Sequence, residues 1–375
     1  ATTEIYTLSL PDALPISRMT AESTFRKPAF RRFARLCAFL AAMAFAGPAM
    51  AEMSAPPLRK ASMTLHWYPQ TQFAGYYMAL EKGFFRARGI NMEIRRGGAD
   101  VDVVEELRSG RTTFSTMFLT GALRFRSETL RLVNVGQIVN RGNLLIVAKK
   151  KSGIKTVADL NGRKMSLWGD HFSGAYKKLF NAQRIWPVIR PQFFSVDLFL
   201  RGAVDACNAM SYNEYIRILQ AGYRPEDLTV IPLRGEGYDF PEDGIYCLEQ
   251  TWRSDPALCR DVLDASLEGW RYAAAHPDEA VDLIARLADG VGYTVNRLLL
   301  RSMLTTILPS IFPESSDSGT LPWTPGVLSK SAYERTVAMM DEVFVGDQWN
   351  VSYDVFHPIG VEGTTPRGAV SFDVR

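Results

Sequence analysis

Short apolar runs rich in β-branched and aromatic residues, each followed by a stretch of helical period, recur from residue 61 to about residue 220. "ASMTLHWY" (61–68) reads as a strand and "FAGYYMALEKGFFRARG" (73–89) as a helix ending at Gly89. "INMEIRRGG" and "TTFSTMF" read as further strands, "DVDVVEELRSG" and "TGALRFRSE" as the helices after them. Parallel strands need long crossovers, and helices supply them, so this alternation predicts an α/β fold with mostly parallel sheet. "LRLVNVGQIV" and "GNLLIVAKK" complete a first set of elements.

A second set begins near Lys150. "TVADLNG" reads as a short helix, "RKMSLWG" as a strand and "SGAYKKLFNAQ" as a helix. "PQFFSV" and "DACNAMSY" read as strands around the helix "VDLFLRGA", with the helix "NEYIRILQAG" next. "DGIYCLEQTW" (243–252) then reads as a strand returning to the first set. Two long helices follow, and the second opens with Pro277, Asp278 and Glu279, residues suited to a helix N-terminus. Gly, Pro and Ser enrichment at 309–326 marks a loop. The expected organisation is a discontinuous first lobe (62–147 and 244–350), a second lobe (150–241) and an irregular tail (358–375). Two lobes joined by a double crossover enclose a cleft, a usual place for small ligands, that closes by a hinge.

Charge excludes one class of function. The first 51 residues carry six basic and three acidic side chains and so hold the whole formal charge of +3; the remainder balances at 37 of each. A nucleic-acid footprint would need a clustered basic surface. From Met19, "RKPAFRRFAR" is a basic segment, "LCAFLAAMAFAG" (36–47) a twelve-residue apolar run, and Ala49 and Ala51 flank Met50 in an A-x-A pattern. This is the pattern of a signal peptide (19–51) cleaved after Ala51, and the apolar run is short for a membrane span. An exported, periplasmic protein is expected. Residues 1–18 read as an extraneous upstream segment resembling translated sequencing adapter. After cleavage Cys207, Cys247 and Cys259 remain, an odd number without C-x-x-C spacing, so either one disulfide or three buried thiols is open.

Candidate ligand residues gather at strand-to-helix junctions, where α/β folds place their sites. "HWYPQTQ" supplies Trp67 and Gln72, followed by Tyr76 and Tyr77 around Gly75. Leu65 and Trp67 share a strand face, so Trp67 is either a core residue or a ligand wall. Neighbours on a helix diverge by about 100°, so one of Tyr76 and Tyr77 is expected to point toward the cleft. "SLWGDHFS" places Trp168 before a helix N-terminus, where it could stack on a ring. "SYNEYIRIL" offers Tyr212 as a stacking residue and Glu214 either as a first-turn capping charge or as a carboxylate accepting paired N–H donors. Glu242 and Asp243 sit at the return crossover and read first as hinge or turn residues, with Asp243 also a candidate for the ligand. His66, His171, His276 and His357 share no metal-ligand spacing, and no nucleophile-elbow, Walker A or dinucleotide glycine motif occurs. No catalytic set, metal or cofactor is therefore expected.

Taken in order, "WYPQTQFAGYYMALEKGFF", "LWGDHFS", "YNEYIRILQAG" and "FPEDGIY" resemble the bacterial periplasmic substrate-binding proteins related to thiamine-pyrimidine synthase, over about residues 62–300. The resemblance implies a two-lobed type II periplasmic binding protein, monomeric, that delivers a small molecule to the membrane subunits of an ABC importer. It also implies a thiamine-related aminopyrimidine, or alternatively a sulfonate, as ligand, and carries the ring-holding roles onto Trp67, Tyr212 and Glu214. His66 stands where the pyrimidine binders favour an acid or amide. "STMFLTGAL" (115–123) lacks the Lys and His of the synthase branch, and "GYDFPEDGIYCLEQTW" holds only Cys247 of its Cys-rich run. A synthase and a periplasmic sensory partner of a membrane kinase remain the alternatives to transport.

Overall fold

The computed structural model describes residues 57–127, 129–193, 195–315, 321–343 and 351–360. The expected upstream segment, the signal peptide and most of the tail (361–375) lie outside the described residues. Pro56–Arg375 forms a compact unit of its own. Its strands are β1 (Arg59–Thr64), β2 (Ile90–Arg95), β3 (Phe114–Phe118), β4 (Leu132–Gln137), β5 (Leu144–Lys149), β6 (Lys164–Leu167), β7 (Val188–Pro191), β8 (Ala206–Met210), β9 (Leu228–Pro232) and β10 (Asp243–Leu248). Helices of six residues or more are α1 (Ala74–Glu81), α2 (Val103–Arg108), α3 (Leu119–Phe125), α4 (Asp170–Gln183), α5 (Glu214–Gln220), α6 (Glu249–Ser254), α7 (Pro256–Ala275), α8 (Pro277–Gly290), α9 (Arg297–Ile311) and α10 (Lys330–Val343).

The strands form two sheets, ordered β2-β1-β3-β10-β4 and β7-β6-β8-β5-β9. In the first, β1 pairs parallel with β2 and β3, while β10 runs antiparallel between β3 and β4. The second repeats the plan: β6 pairs parallel with β7 and β8, and β5 runs antiparallel between β8 and β9. Both sheets are thus mixed, rather than mostly parallel. In each, the antiparallel strand has just crossed from the other lobe.

β5 therefore belongs to the second sheet, and the chain crosses between residues 138 and 143, earlier than the expected break at 147–150. Its all-buried run "LLIVAK" would fit either sheet; pairing with β8 and β9 decides the matter. The return falls at Asp243, close to the expected 244. The two crossing segments hold one another. Ile138 and Val139 donate their N–H groups to the Asp243 carbonyl, Glu242 N–H donates to the Val139 carbonyl, and Asn143 donates from backbone and side chain to the Glu242 carboxylate.

Other expectations shift at their edges. β1 ends at Thr64, and "DGIYCLEQTW" is strand only to Leu248 before turning into α6. The strand expected at "PQFFSV" lies earlier, at Val188–Pro191, in register with β6. α9 runs to Ile311, with Pro309 inside it, into the stretch expected to be loop.

The core explains Gly75. A Cβ there would lie 2.1 Å from Trp270 Cγ, and one on Gly269 would lie 2.0 Å from the Gly75 carbonyl oxygen. α1 and α7 thus cross with their backbones nearly touching. Gly75 permits that approach. With the sheet on one side and α7 on the other, α1 buries both Tyr76 and Tyr77. Burial alone does not separate core from cleft, and Tyr76 lies within electrostatic reach of Asp243. Cys207, Cys247 and Cys259 are buried free thiols, and Cys247 Sγ lies 4.0 Å from Cys259 Sγ.

Candidate ligand site

The parallel strands of each sheet end, and its antiparallel strand begins, on the side where the chain crosses between lobes. Residues just past those ends therefore converge. From the first lobe come His66 and Trp67 after β1, Phe118 closing β3, and Asp243 opening β10. From the second come Trp168 after β6 and Tyr212 and Glu214 after β8.

Aromatic rings bridge the two lobes here. Phe172, in the first turn of α4, packs edge-on against Phe118 (centroids 5.3 Å apart), Trp168 (6.2 Å) and Trp67 (6.4 Å). His66 packs against Phe73 and Phe118. Because β1 stops at Thr64, Trp67 lies in a loop beyond strand alternation. It is half-buried, while Leu65 is fully buried. Gln72 is buried in the one-turn helix Thr71–Phe73.

A polar layer lies beside the rings. Asp243 is buried, yet neither carboxyl oxygen has a hydrogen-bond partner. Its Oδ1 is 3.3 Å from His66 Nε2 without a hydrogen bond between them. On its other side His66 Nδ1 lies 2.8 Å from Thr116 Oγ1. Burial holds the His66 imidazole down to about 3 and pushes the Asp243 carboxyl well above the usual carboxylate range. Burial thus favours the uncharged form of each group in the free protein.

Two more buried carboxyls lie close by. Burial also raises Glu242 and Glu214, against the stabilising bonds each accepts. Glu214 receives Met210 N–H at 3.0 Å and Asn213 Nδ2 at 2.8 Å. Tyr212 is buried within electrostatic reach of Glu242, Asp243 and Glu214. Tyr76, likewise buried, feels Asp243, and its hydroxyl has no hydrogen-bond partner. In α4, Ser173 Oγ is a further buried group without a partner, as is the Asn208 amide of β8.

Tyr293, between α8 and α9, was not among the residues expected to contribute. Its ring stacks on Tyr68 at 4.6 Å and an interplanar angle of 1°. Gln70 Nε2 donates to its hydroxyl at 2.7 Å, and Arg217 of α5 approaches the same oxygen at 3.3 Å. Nothing local marks it, since it lies 223 residues from Gln70. Phe172, by contrast, sits inside the quoted "LWGDHFS". Among the described residues, no group of three or more His, Cys, Asp and Glu side chains could hold a metal ion.

A family model described as NMT1/THI5 like matches residues 70–280. The riboflavin-binding protein RibY of Chloroflexus aurantiacus is 25% identical over 237 residues, which cover 61% of this chain and 66% of that protein, just under two thirds. The 4-amino-5-hydroxymethyl-2-methylpyrimidine phosphate synthase of Legionella pneumophila is 19% identical over 231 residues, 60% of this chain and 73% of that one. Among solved structures, the periplasmic aliphatic sulphonate binding protein SsuA from Escherichia coli aligns with a TM-score of 0.56 at 17% identity, over 77% of this chain and 92% of that one. That likeness fixes the fold: two α/β lobes of the periplasmic-binding-protein kind.

Proposed function

The chain belongs to the NMT1/THI5-like family, and from that premise we propose an exported solute-binding protein that holds a small flat nitrogen heterocycle between its lobes and delivers it to an ABC importer. One observation carries the ligand class. Asp243 is a buried carboxyl without a hydrogen-bond partner, set beside the rings that bridge the lobes. Buried polar groups are nearly always paired, so an orphan at a cleft asks for a ligand group. An amino or ring N–H of the ligand would supply the missing donor, and Trp67, Trp168 and Tyr212 would offer faces for the ring. Glu214 is the second carboxyl available to such donors. A thiamine-related aminopyrimidine meets these demands, and so does the N–H-bearing ring of riboflavin.

A sulfonate fits less well. Three buried carboxyls line this region, and the Arg217 guanidinium is already engaged with Asn213 and Tyr293. An anion could sit beside Asp243, Glu242 and Glu214 only while all three stay protonated, because each ionised carboxylate would repel it in a low dielectric. A synthase would need a reactive amine or imidazole at 115–123, where the chain has neither.

The test is a thermal-shift screen of the chain from Glu52 with thiamine, its aminopyrimidine precursors, riboflavin and taurine. A ligand present at 100 times its dissociation constant should add about 2.7 kcal/mol of stability. Trp67→Ala should then weaken binding of the hit by about 1–3 kcal/mol, the scale of ring stacking, with a much smaller loss of melting temperature. Equal losses of stability and affinity would make Trp67 a core residue. A shift with taurine alone would sink the heterocycle reading.

A further inference from the structure

The free edge of the second sheet carries an apolar patch that the ligand site does not use. β7 is its edge strand, exposed along its whole length. Trp186, just before it, is 66% exposed; Val188 and Ile189 within it are each 40% exposed; Phe193, just after it, is 71% exposed. Large apolar side chains gathered on a surface mark an interaction face more often than chance.

Backbone and charge narrow the occupant. Val188 N–H donates to Arg163 O and Gln192 N–H to Leu167 O, so the alternate positions, Ile189 and Pro191, face away from the sheet. Pro191 has no N–H to offer. An added strand would find few backbone donors there, which disfavours pairing by a peptide or by the same edge of a second copy. Around the patch stand Arg163, Lys164, Arg184 and Arg190, all exposed and none in an ion pair among the described residues. Asp205 accepts Lys164 N–H, and Glu236 accepts from Gln183, next to Arg184. Four cations along or beside one sheet edge repel an identical edge. Arg184 also holds a left-handed backbone, φ 53°, where the chain leaves α4 for Trp186.

Exposed aromatics within a cationic rim match an anionic bilayer surface: rings settle at the headgroup level while basic side chains meet the phosphates. We propose that the β7 edge of the second lobe docks on anionic lipid, holding the protein against a membrane surface independently of its ligand.

The test is co-sedimentation of the chain from Glu52, within which the compact unit beginning at Pro56 is intact. Vesicles of phosphatidylglycerol and phosphatidylethanolamine are compared with phosphatidylcholine alone. The parent chain should sediment with the anionic vesicles at low salt and lose binding as salt rises. Arg184→Gln with Arg190→Gln should weaken partitioning by about fivefold per charge. Trp186→Ser with Phe193→Ser should weaken it at least tenfold, with an unchanged circular dichroism spectrum and melting temperature. Absence of sedimentation at low salt overturns the proposal, as does equal binding by parent and variants. Loss of self-association, rather than of lipid binding, in the aromatic variant would make the patch a dimer face and overturn it as well.

Discussion

Asp243→Asn should make the free protein more stable near neutral pH while making it a poorer binder. Burial raises the Asp243 carboxyl well above its usual range, so the folded protein keeps that proton where the unfolded chain releases it. Above the unfolded value, about 3.9, the folded state binds more protons, and stability falls as pH rises until the folded value is passed. The limiting slope for one such group is about 1.4 kcal/mol per pH unit. Asn has nearly the same shape and does not titrate, so it removes this loss. Above the unfolded value the advantage of the variant should therefore grow as pH rises, until the folded value is passed. Glu242 feels the Asp243 charge, so its own carboxyl should be raised less in the variant, a change of the same sign that adds to the difference.

Urea unfolding of both proteins at half-unit pH steps reads this directly. Affinity should move the other way. A hydrogen bond to a charged group contributes about 1.5–3 kcal/mol, so a ligand that donates to Asp243 should bind the variant about ten- to a hundredfold more weakly. Parallel stability profiles for the two proteins would refute the buried, unpartnered carboxyl. An unchanged dissociation constant would refute its part in recognition.

Two further outcomes test the packing. Gly75→Ala should cost at least about 2 kcal/mol in chemical denaturation, because its methyl group would meet the Trp270 ring and α1 cannot withdraw without losing its contact with α7; a neutral substitution would show that the two helices do not cross this closely. Oxidation of the native protein with a copper–phenanthroline oxidant should close Cys247 to Cys259 and leave Cys207 as the free thiol, adding about 2–4 kcal/mol to stability. Labelling of all three thiols after oxidation would contradict that pairing.

Much of the element order was legible because its signals are local. β2, α7 and α8 follow from apolar period, glycine stops and the Pro277 start, all of which act within a few residues. The aromatic crowding at 67–77 was equally plain, and so was its place after a strand. β7 was missed because an exposed edge strand has no buried alternation to read, and the apolar residues at 191–196 drew the expectation past it. That Tyr76 and Tyr77 are both buried was not legible, because a two-residue argument from helix geometry cannot see α7 packing against the same helix.

Charge balance, the α/β class and the candidate junctions thus follow from residue type and spacing alone. Tertiary structure decided which sheet received β5, since its apolar run satisfies either lobe and only hydrogen bonding to β8 and β9 selects one. It likewise brought Tyr293 to Gln70 and Arg217, and left Asp243 buried beside His66 without a hydrogen bond. Spacing along a chain constrains neighbours within a turn or a strand. Burial and orphaned polar groups arise only when segments hundreds of residues apart exclude water together.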